Sequence, residues 1–398
     1  MKIALLSETW HPYTNGVITH IDVLAEGLRE LGHDVLIVTA DPEIRHHVVD
    51  TDGVLRCPAL AVKRIYGYGL AAPFSLKRYE VLRRFQPDII HIHMEFGIGT
   101  FGLLASRLLR VPLVYTLHTA YDEYLHYLAA PPLIPVVRAI SRGYVKLLAT
   151  AASMSTGPSE KAAAYLKARR VPTPFVSIPN SVDHQRFNPQ LITQKKRLEL
   201  RQTYGIGEDD TVAIFVGRLG REKSVSELVD FWKQAVPPGS GIHLLLVGEG
   251  PERAALEKTV AINGLAQQIH FTGKVPYEEM PAYYGAANVF VSASTTEMMS
   301  IALLEAQAMG LPVLQRHDAW NRQQVEDGVN GFTYTDAVDF AKHMHYFSRL
   351  DVSGQENWRQ RCCRHVAHQG ASDLAGRLLR VYQQALAICE RCAVKESV

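Results

Sequence analysis

Short apolar runs punctuate the chain, each followed by a polar loop and then by a stretch in which apolar residues recur every three or four positions. The first run is Ile3 to Leu6 and the loop is Glu8 to Gly16. The periodic stretch is Val17 to Leu31, with Ile21, Leu24, Leu28 and Leu31 on one face. Gly32 closes that helix, and Val35 to Val38 reads as the next strand. Strand, helix and strand in this order need a crossover, so a parallel sheet is expected. Further strands are expected at Ile89 to Ile92 and Leu113 to Tyr115, each entered through a proline-marked turn. A second series begins at Val212 to Val216 and continues through Leu244 to Val247, Ile269 to Phe271, Val289 to Val291 and Pro312 to Leu314. Between the two series, Pro179, Asn180 and Ser181 interrupt regular structure.

This pattern predicts an α/β protein of two Rossmann-like, doubly wound domains facing each other across a cleft. The expected domains are residues 1–180 and 181–372, with a last helical stretch in 373–398. A length of 398 residues agrees with two cores rather than one. In open sheets of this kind ligands bind beyond the carboxyl ends of the strands, so the loops after those strands are where chemistry is expected.

Composition narrows the class. With 47% hydrophobic and 21% charged residues the chain is globular. Five cysteines, an odd number clustered toward the C-terminus, do not form a secreted disulfide framework. Cys389 and Cys392 form a CxxC, but adjacent Cys362 and Cys363 in a helical context make a poor zinc set. The first residues read as a strand rather than a signal peptide, and no apolar run approaches the roughly 18 residues of a spanning helix. A cytoplasmic protein, peripheral on the inner face of the cell membrane, is the expectation. Net charge is only +2, yet nine basic residues face three acidic ones between Arg56 and Arg110. Such a patch suits anionic lipid headgroups, and a plain solvated face explains it equally well. No basic run with interleaved aromatics speaks for nucleic acid.

The loop after Val216 is Gly217-Arg218-Leu219-Gly220-Arg221-Glu222-Lys223-Ser224. Its glycines let the backbone approach a ligand, Arg218 offers a planar fork for phosphate oxygens, and Lys223 adds a point charge at a helix start. An ordinary strand-to-helix turn with solvated cations is the competing explanation. After the strand ending near Ser292, the loop Glu297-Met298-Met299-Ser300 leads into a helix beginning at Ile301. Glu297 stands just before that helix and Glu305 about one turn inside it, so the two carboxylates are expected to bracket amides able to hold phosphate. Carboxylates there suit sugar and ribose hydroxyls. The backbone at Lys274 and Val275, another strand end, could pair with a base. His118 ends a strand and could contact a sugar hydroxyl or phosphate, His91 reads as structural and His93 is open. No further ligand spacing accompanies these histidines, and metal binding by them is not expected.

At these residues the chain resembles the retaining glycosyltransferases of family 4, which have the two-domain B-type fold. The resemblance spans nearly the whole chain and rests on Gly16, His118, Gly217-Arg218-Leu219, Glu222-Lys223, and Glu297 and Glu305 at an E-x7-E spacing followed by Gly310-Leu311-Pro312. It implies Gly16 close to a diphosphate, Arg218 and Lys223 neutralising it, Glu297 on the donor sugar, Glu305 on the ribose and His118 near the reacting sugar. It also implies donor contacts along Met298, Met299, Ser300 and Ile301, and a last helix that returns to the first domain. The segment His118 to Tyr127 is similar to diacylglycerol glucosyltransferases, implying UDP-glucose as donor, a lipid hydroxyl as acceptor and acceptor contacts by His118, Tyr121 and Tyr124. No cofactor or metal is implied. Ser300 stands where the family commonly has glycine, and Trp320 to Gln323 and Asn180-Ser181 also depart from its pattern. Another acceptor (phosphatidylinositol, a soluble sugar or a protein) and a nucleotide-sugar-binding protein without turnover are the alternatives.

Overall fold

The computed structural model describes residues 1–62, 68–119, 131–320 and 324–396. The chain divides into two compact units, Met1–Ser181 with Ala371–Val398, and Val182–Gly370. The breaks expected after residues 180 and 372 fall within two residues of these limits.

The first unit contains β1 (Lys2–Ser7), α1 (Gly16–Glu30), β2 (Asp34–Asp41), β3 (Val48–Val49), β4 (Val54–Val62), β5 (Tyr68–Ala71), α2 (Leu76–Phe85), β6 (Ile89–Ile92), α3 (Phe96–Leu109), β7 (Leu113–Thr116), α4 (Ile134–Ala151), β8 (Met154–Gly157), α5 (Glu160–Ala168) and β9 (Phe175–Ser177). Its sheet runs β3-β4-β2-β1-β6-β7-β8-β9, with β5 added to β4. All pairs are parallel except β3 with β4 and β4 with β5. Strands β1, β6 and β7 are buried on both faces, which is why they read as unbroken apolar runs. Strand β8 is equally buried, but its sequence Met-Ser-Thr-Gly carries no such signal.

The second unit contains α6 (Gln194–Thr203), β10 (Thr211–Val216), α7 (Val225–Ala235), β11 (Ile242–Val247), α8 (Arg253–Ile262), β12 (Ile269–Gly273), α9 (Met280–Ala286), β13 (Val289–Ser292), α10 (Ile301–Ala308), β14 (Val313–Arg316), β15 (Gly331–Tyr334), α11 (Ala337–Ser348) and α12 (Val352–Val366). Its all-parallel sheet runs β12-β11-β10-β13-β14-β15. Strand β15 escaped the sequence reading. It opens on Gly331, where a Cβ would stand 2.1 Å from the carbonyl oxygen of Val313.

Strand order reverses between β1 and β6 in one sheet and between β10 and β13 in the other. At each reversal two neighbouring strands send their loops in opposite directions, which opens a crevice for ligands.

The last helix, α13 (Ala371–Glu396), belongs to the first unit. Leu374, Leu378, Val381 and Tyr382 share a core with Ile21, Leu24 and Leu28 of α1. Gly27 permits the close crossing, since a Cβ there would lie 2.2 Å from the Ala371 carbonyl oxygen.

The basic stretch from Arg56 to Arg110 is less of a surface patch than the sequence suggests. Arg78 is 1% exposed, donates to the Ala72 carbonyl and lies over the Phe101 ring. Arg56 is matched by Asp41 and Asp50, and Lys63 and Arg64 lie outside the described residues.

Candidate active site

In the second unit, the loops that leave β10 and β13 meet at the reversal point. Thr296 Oγ1 donates to the Glu222 carbonyl at 2.7 Å and Ser294 Oγ to the same oxygen at 3.3 Å. These bonds bring together residues far apart in sequence, and Lys223 Nζ donates to Glu297 Oε1. Arg218 Nε lies 3.6 Å from Glu222 Oε1, a carboxylate almost wholly buried. Each cation of the expected diphosphate clamp thus stands beside a carboxylate. Burial holds Arg218 below the ordinary arginine range against the opposing pull of Glu222.

The turn Gly248-Glu249-Gly250 presses on this loop. A Cβ on Gly248 would lie 2.0 Å from the Gly217 oxygen, and one on Gly250 2.2 Å from the Leu219 oxygen. Leu219 and Glu249 bond through their backbones at 3.0 Å. These glycines hold the clamp loop in place by letting a second backbone reach it.

Ser300 begins α10 as its N-cap, its Oγ accepting from the Leu303 amide at 3.3 Å. Gln324 grips the same residue twice, accepting from the Ser300 amide and donating to its carbonyl, both at 2.9 Å. The serine found where a glycine is common is therefore a capping residue of ordinary preference. Met298 and Ile301 are buried, Met299 and Val275 are partly buried against the core, and Lys274 is exposed.

Glu305 departs from the expected bracket. It is 5% exposed, and its two oxygens accept from the hydroxyls of Tyr277 and Tyr284, each at 2.8 Å. Burial raises its carboxyl to about 7, opposed by those two bonds. The two glutamates do not flank the amides of α10 as a pair: Glu297 faces Lys223 and Glu305 faces tyrosines. Each carboxylate oxygen can still accept a further hydroxyl. Neither tyrosine nor Gln324 had a sequence signal.

In the first unit, Gly16 is exposed at the start of α1, next to Asn15, whose Oδ1 accepts from the amides of Val17 and Ile18 at 3.0 Å. Tyr121 and Tyr124 lie outside the described residues. His118 joins His93 through a ring nitrogen pair 3.0 Å apart. His91 is held on both nitrogens, by Tyr382 at 2.8 Å and Thr116 at 2.7 Å, and is structural as expected. His20 completes the group, its ring packing on His118 with centroids 4.7 Å apart. The Nδ1–H of His20 donates to Asn180 Oδ1 at 3.0 Å, so its Nε2 carries the lone pair. The Nε2 atoms of His20 and His93 are buried without a hydrogen-bond partner among the described residues. Burial lowers His20 to about 4 and takes His91, His93 and His118 well below the usual histidine range, with neighbouring histidines adding to the effect in the last three.

Sequence spacing offered no further ligand beside His91, His93 and His118, and the fold brings one, His20, next to His93 and His118. One ring nitrogen each of His20, His93 and His118 lie within 4.8 Å of one another. His20 was missed because it interrupts nothing in the apolar face of α1. Glu8 was missed too. It follows β1, accepts from the amides of Ala71 and Ile98, and is raised by burial to about 7.

Two parallel-sheet α/β units, each with its polar residues at the strand-order reversal, give the chain the B-type fold of glycosyltransferases. The chain belongs to glycosyltransferase family 4: residues 14–186 match the model "Glycosyltransferase Family 4" and residues 196–363 match "Glycosyl transferases group 1". It is 31% identical over 352 residues to an alpha-monoglucosyldiacylglycerol synthase of Acholeplasma laidlawii, covering 86% of this chain and 87% of the relative. A GDP-mannose-dependent alpha-mannosyltransferase of Corynebacterium glutamicum is 27% identical over 404 residues, 98% of this chain and 91% of that one. Among solved structures, HepE of Anabaena in complex with UDP superposes with a TM-score of 0.73 at 18% identity, over 96% of this chain and 100% of that one.

Proposed function

We propose that the protein moves glucose from UDP-glucose to the hydroxyl of diacylglycerol, with retention at the anomeric carbon, while docked on a membrane surface. The meeting of Lys223 with Glu297 at the reversal of the second sheet carries this reading. Binding a diphosphate beside Arg218 and Lys223 would place both cations where negative charge develops on the leaving group, the electrostatic kind of catalysis. Glu297 would orient the sugar through an oxygen that Lys223 leaves open, and Glu305 would accept a ribose hydroxyl. The diphosphate can take the acceptor proton, so the reaction is proposed to need no metal. In the first unit, Gly16 and His118 would contact the donor, and the segment containing Tyr121 and Tyr124 would receive the acceptor.

Helix α4 supports the membrane part. Leu133, Val136, Ile140 and Leu147 form an exposed apolar stripe at helical spacing, and Arg142 and Lys146 are exposed elsewhere on the same helix. Such a helix suits the interface of an anionic bilayer. Among the described residues no helix is long and apolar enough to cross a membrane.

The relative that uses GDP-mannose favours a second reading, a mannosyl donor. Mass spectrometry of products from a panel of UDP- and GDP-sugars, with diacylglycerol in anionic vesicles and with or without a chelator, tests both. A glucosyl lipid formed in the presence of chelator is the expected result. Product from GDP-mannose alone, or no lipid product at all, would reject it.

A further inference from the structure

At the amino ends of the strands of the second sheet, where Asn288 leads into β13 and Pro312 into β14, the unit contains a cavity of about 350 Å³. Small-molecule sites run from about 300 to 1,000 Å³. Phe347, Leu350, Met309 and Trp358 give it apolar walls, and Arg197 of α6 and Arg359 of α12 give it charge. The Nε of Arg197 is buried with no hydrogen-bond partner among the described residues. A buried donor left unpaired is destabilising, so an acceptor that reached it would be held. The Arg359 guanidinium lies 3.7 Å from Glu356 in a pair that is half exposed on both sides, which matches its charge only weakly. Burial, and next the nearness of Arg359, depress Arg197 below the ordinary arginine range. Thr193 and Gln194 at the start of α6 also line the space and add the partial positive charge of a helix N-terminus.

We propose that this cavity binds a small phosphomonoester, with its phosphate between Arg197 and Arg359 and its body against Phe347, Leu350 and Trp358. Arginine pairs suit phosphate because the planar fork donates two parallel bonds. The occupant is an effector rather than a substrate, since the cavity and the loop carrying Glu297 lie at opposite ends of β13, a strand of roughly 13 Å. Tyr284 links the two ends: it lines the cavity and its hydroxyl holds Glu305. Coupling to donor affinity rests on the ribose role of Glu305. The binding itself does not.

Calorimetric titration of the full chain with phenyl phosphate tests the site. The expected result is one molecule bound, weakened at least about tenfold by Arg359→Glu or Arg197→Gln and unchanged by Arg218→Ala. Arg359 is an exposed side chain, so its variant keeps the fold even if Arg197→Gln does not. Sedimentation with phosphatidic acid and phosphatidylcholine vesicles separates the sources of the phosphate: an Arg359-dependent preference for phosphatidic acid without binding of phenyl phosphate assigns it to a lipid headgroup. Binding indifferent to Arg359, binding lost in Arg218→Ala, or no binding to either probe would overturn the proposal. A UDP affinity that shifts on saturation with phenyl phosphate measures the coupling, and failure of UDP to bind at all counts against the donor reading while leaving the titration intact.

Discussion

Lys223 and Glu297, 74 positions apart in the chain, form an ion pair through Nζ and Oε1 at the point where strand order reverses in the second sheet. The pair joins a cation suited to a diphosphate with a carboxylate suited to a sugar hydroxyl, and each group keeps further donors or acceptors for a ligand. Glu297→Gln keeps the shape and removes the charge. Turnover is expected to fall by about a hundredfold or more while donor binding changes much less, because the lost interaction is strongest in the transition state. Steady-state kinetics with a parallel UDP titration check this. A variant with unaltered turnover would remove Glu297 from the reaction.

Glu305 gives the second unit a distinctive response to pH. Its carboxyl is raised to about 7 from a usual 4.5, so between these values the folded chain holds the proton more tightly than the unfolded one. The stability this contributes is present below about 4.5 and is lost as pH rises to about 7, in total up to about 3 kcal/mol. Glu8 in the first unit acts in the same direction. Glu305→Gln cancels its own share only. The melting temperature of the variant relative to the parent should therefore rise between pH 5 and pH 8, and a constant difference would show that Glu305 is not held neutral. The same substitution is expected to weaken UDP binding if the carboxylate accepts the ribose.

The buried histidines pull the other way. His20, His91, His93 and His118 are all held neutral in the fold, with His20 lowered to about 4. Below pH 6.5 the unfolded chain takes up protons that the folded chain refuses, so stability falls as pH drops toward 4. Thermal denaturation should show acid sensitivity in this window, reduced in His20→Gln. Equal acid sensitivity in parent and variant would remove His20 from the effect.

Ser300 caps α10, and its replacements should be ordered by that role. Ser300→Ala is expected to cost about 1 kcal/mol in urea denaturation, and Ser300→Gly only a few tenths, roughly 0.3 kcal/mol. Activity retained in the glycine variant would place the residue among structural differences within the family.

The stripe on α4 can be tested without touching either site. Ile140 is 66% exposed, so Ile140→Asp should leave the fold and UDP binding intact. Binding to anionic vesicles should drop at least about tenfold if the side chain enters the bilayer interface. Undiminished sedimentation would locate membrane contact elsewhere.

The alternation of strands and helices was legible because parallel strands buried on both faces must be apolar throughout and amphipathic helices must repeat at 3.6 residues. Both requirements act locally, and they foretold β1, α1, β6 and the series from β10 to β14. Strands such as Met154–Gly157 were not legible, since their burial comes from neighbours rather than from their own residue types. The loop residues Arg218, Lys223 and Glu297 could be proposed from their place at strand ends, but nothing in the sequence requires Lys223 to meet Glu297. That meeting follows from β10 and β13 lying side by side, which sheet order alone decides. The same is true of Glu305. Its place on a helix was readable, whereas its burial against Tyr277 and Tyr284, and the raised carboxyl that results, exist only because α9 and the turn before it pack there. His20 is the clearest case: a residue without any pattern of its own becomes the third member of a histidine group because α1 lies against the ends of β6 and β7. Local periodicity is written in the order of side chains, and long-range neighbours are set by how layers stack.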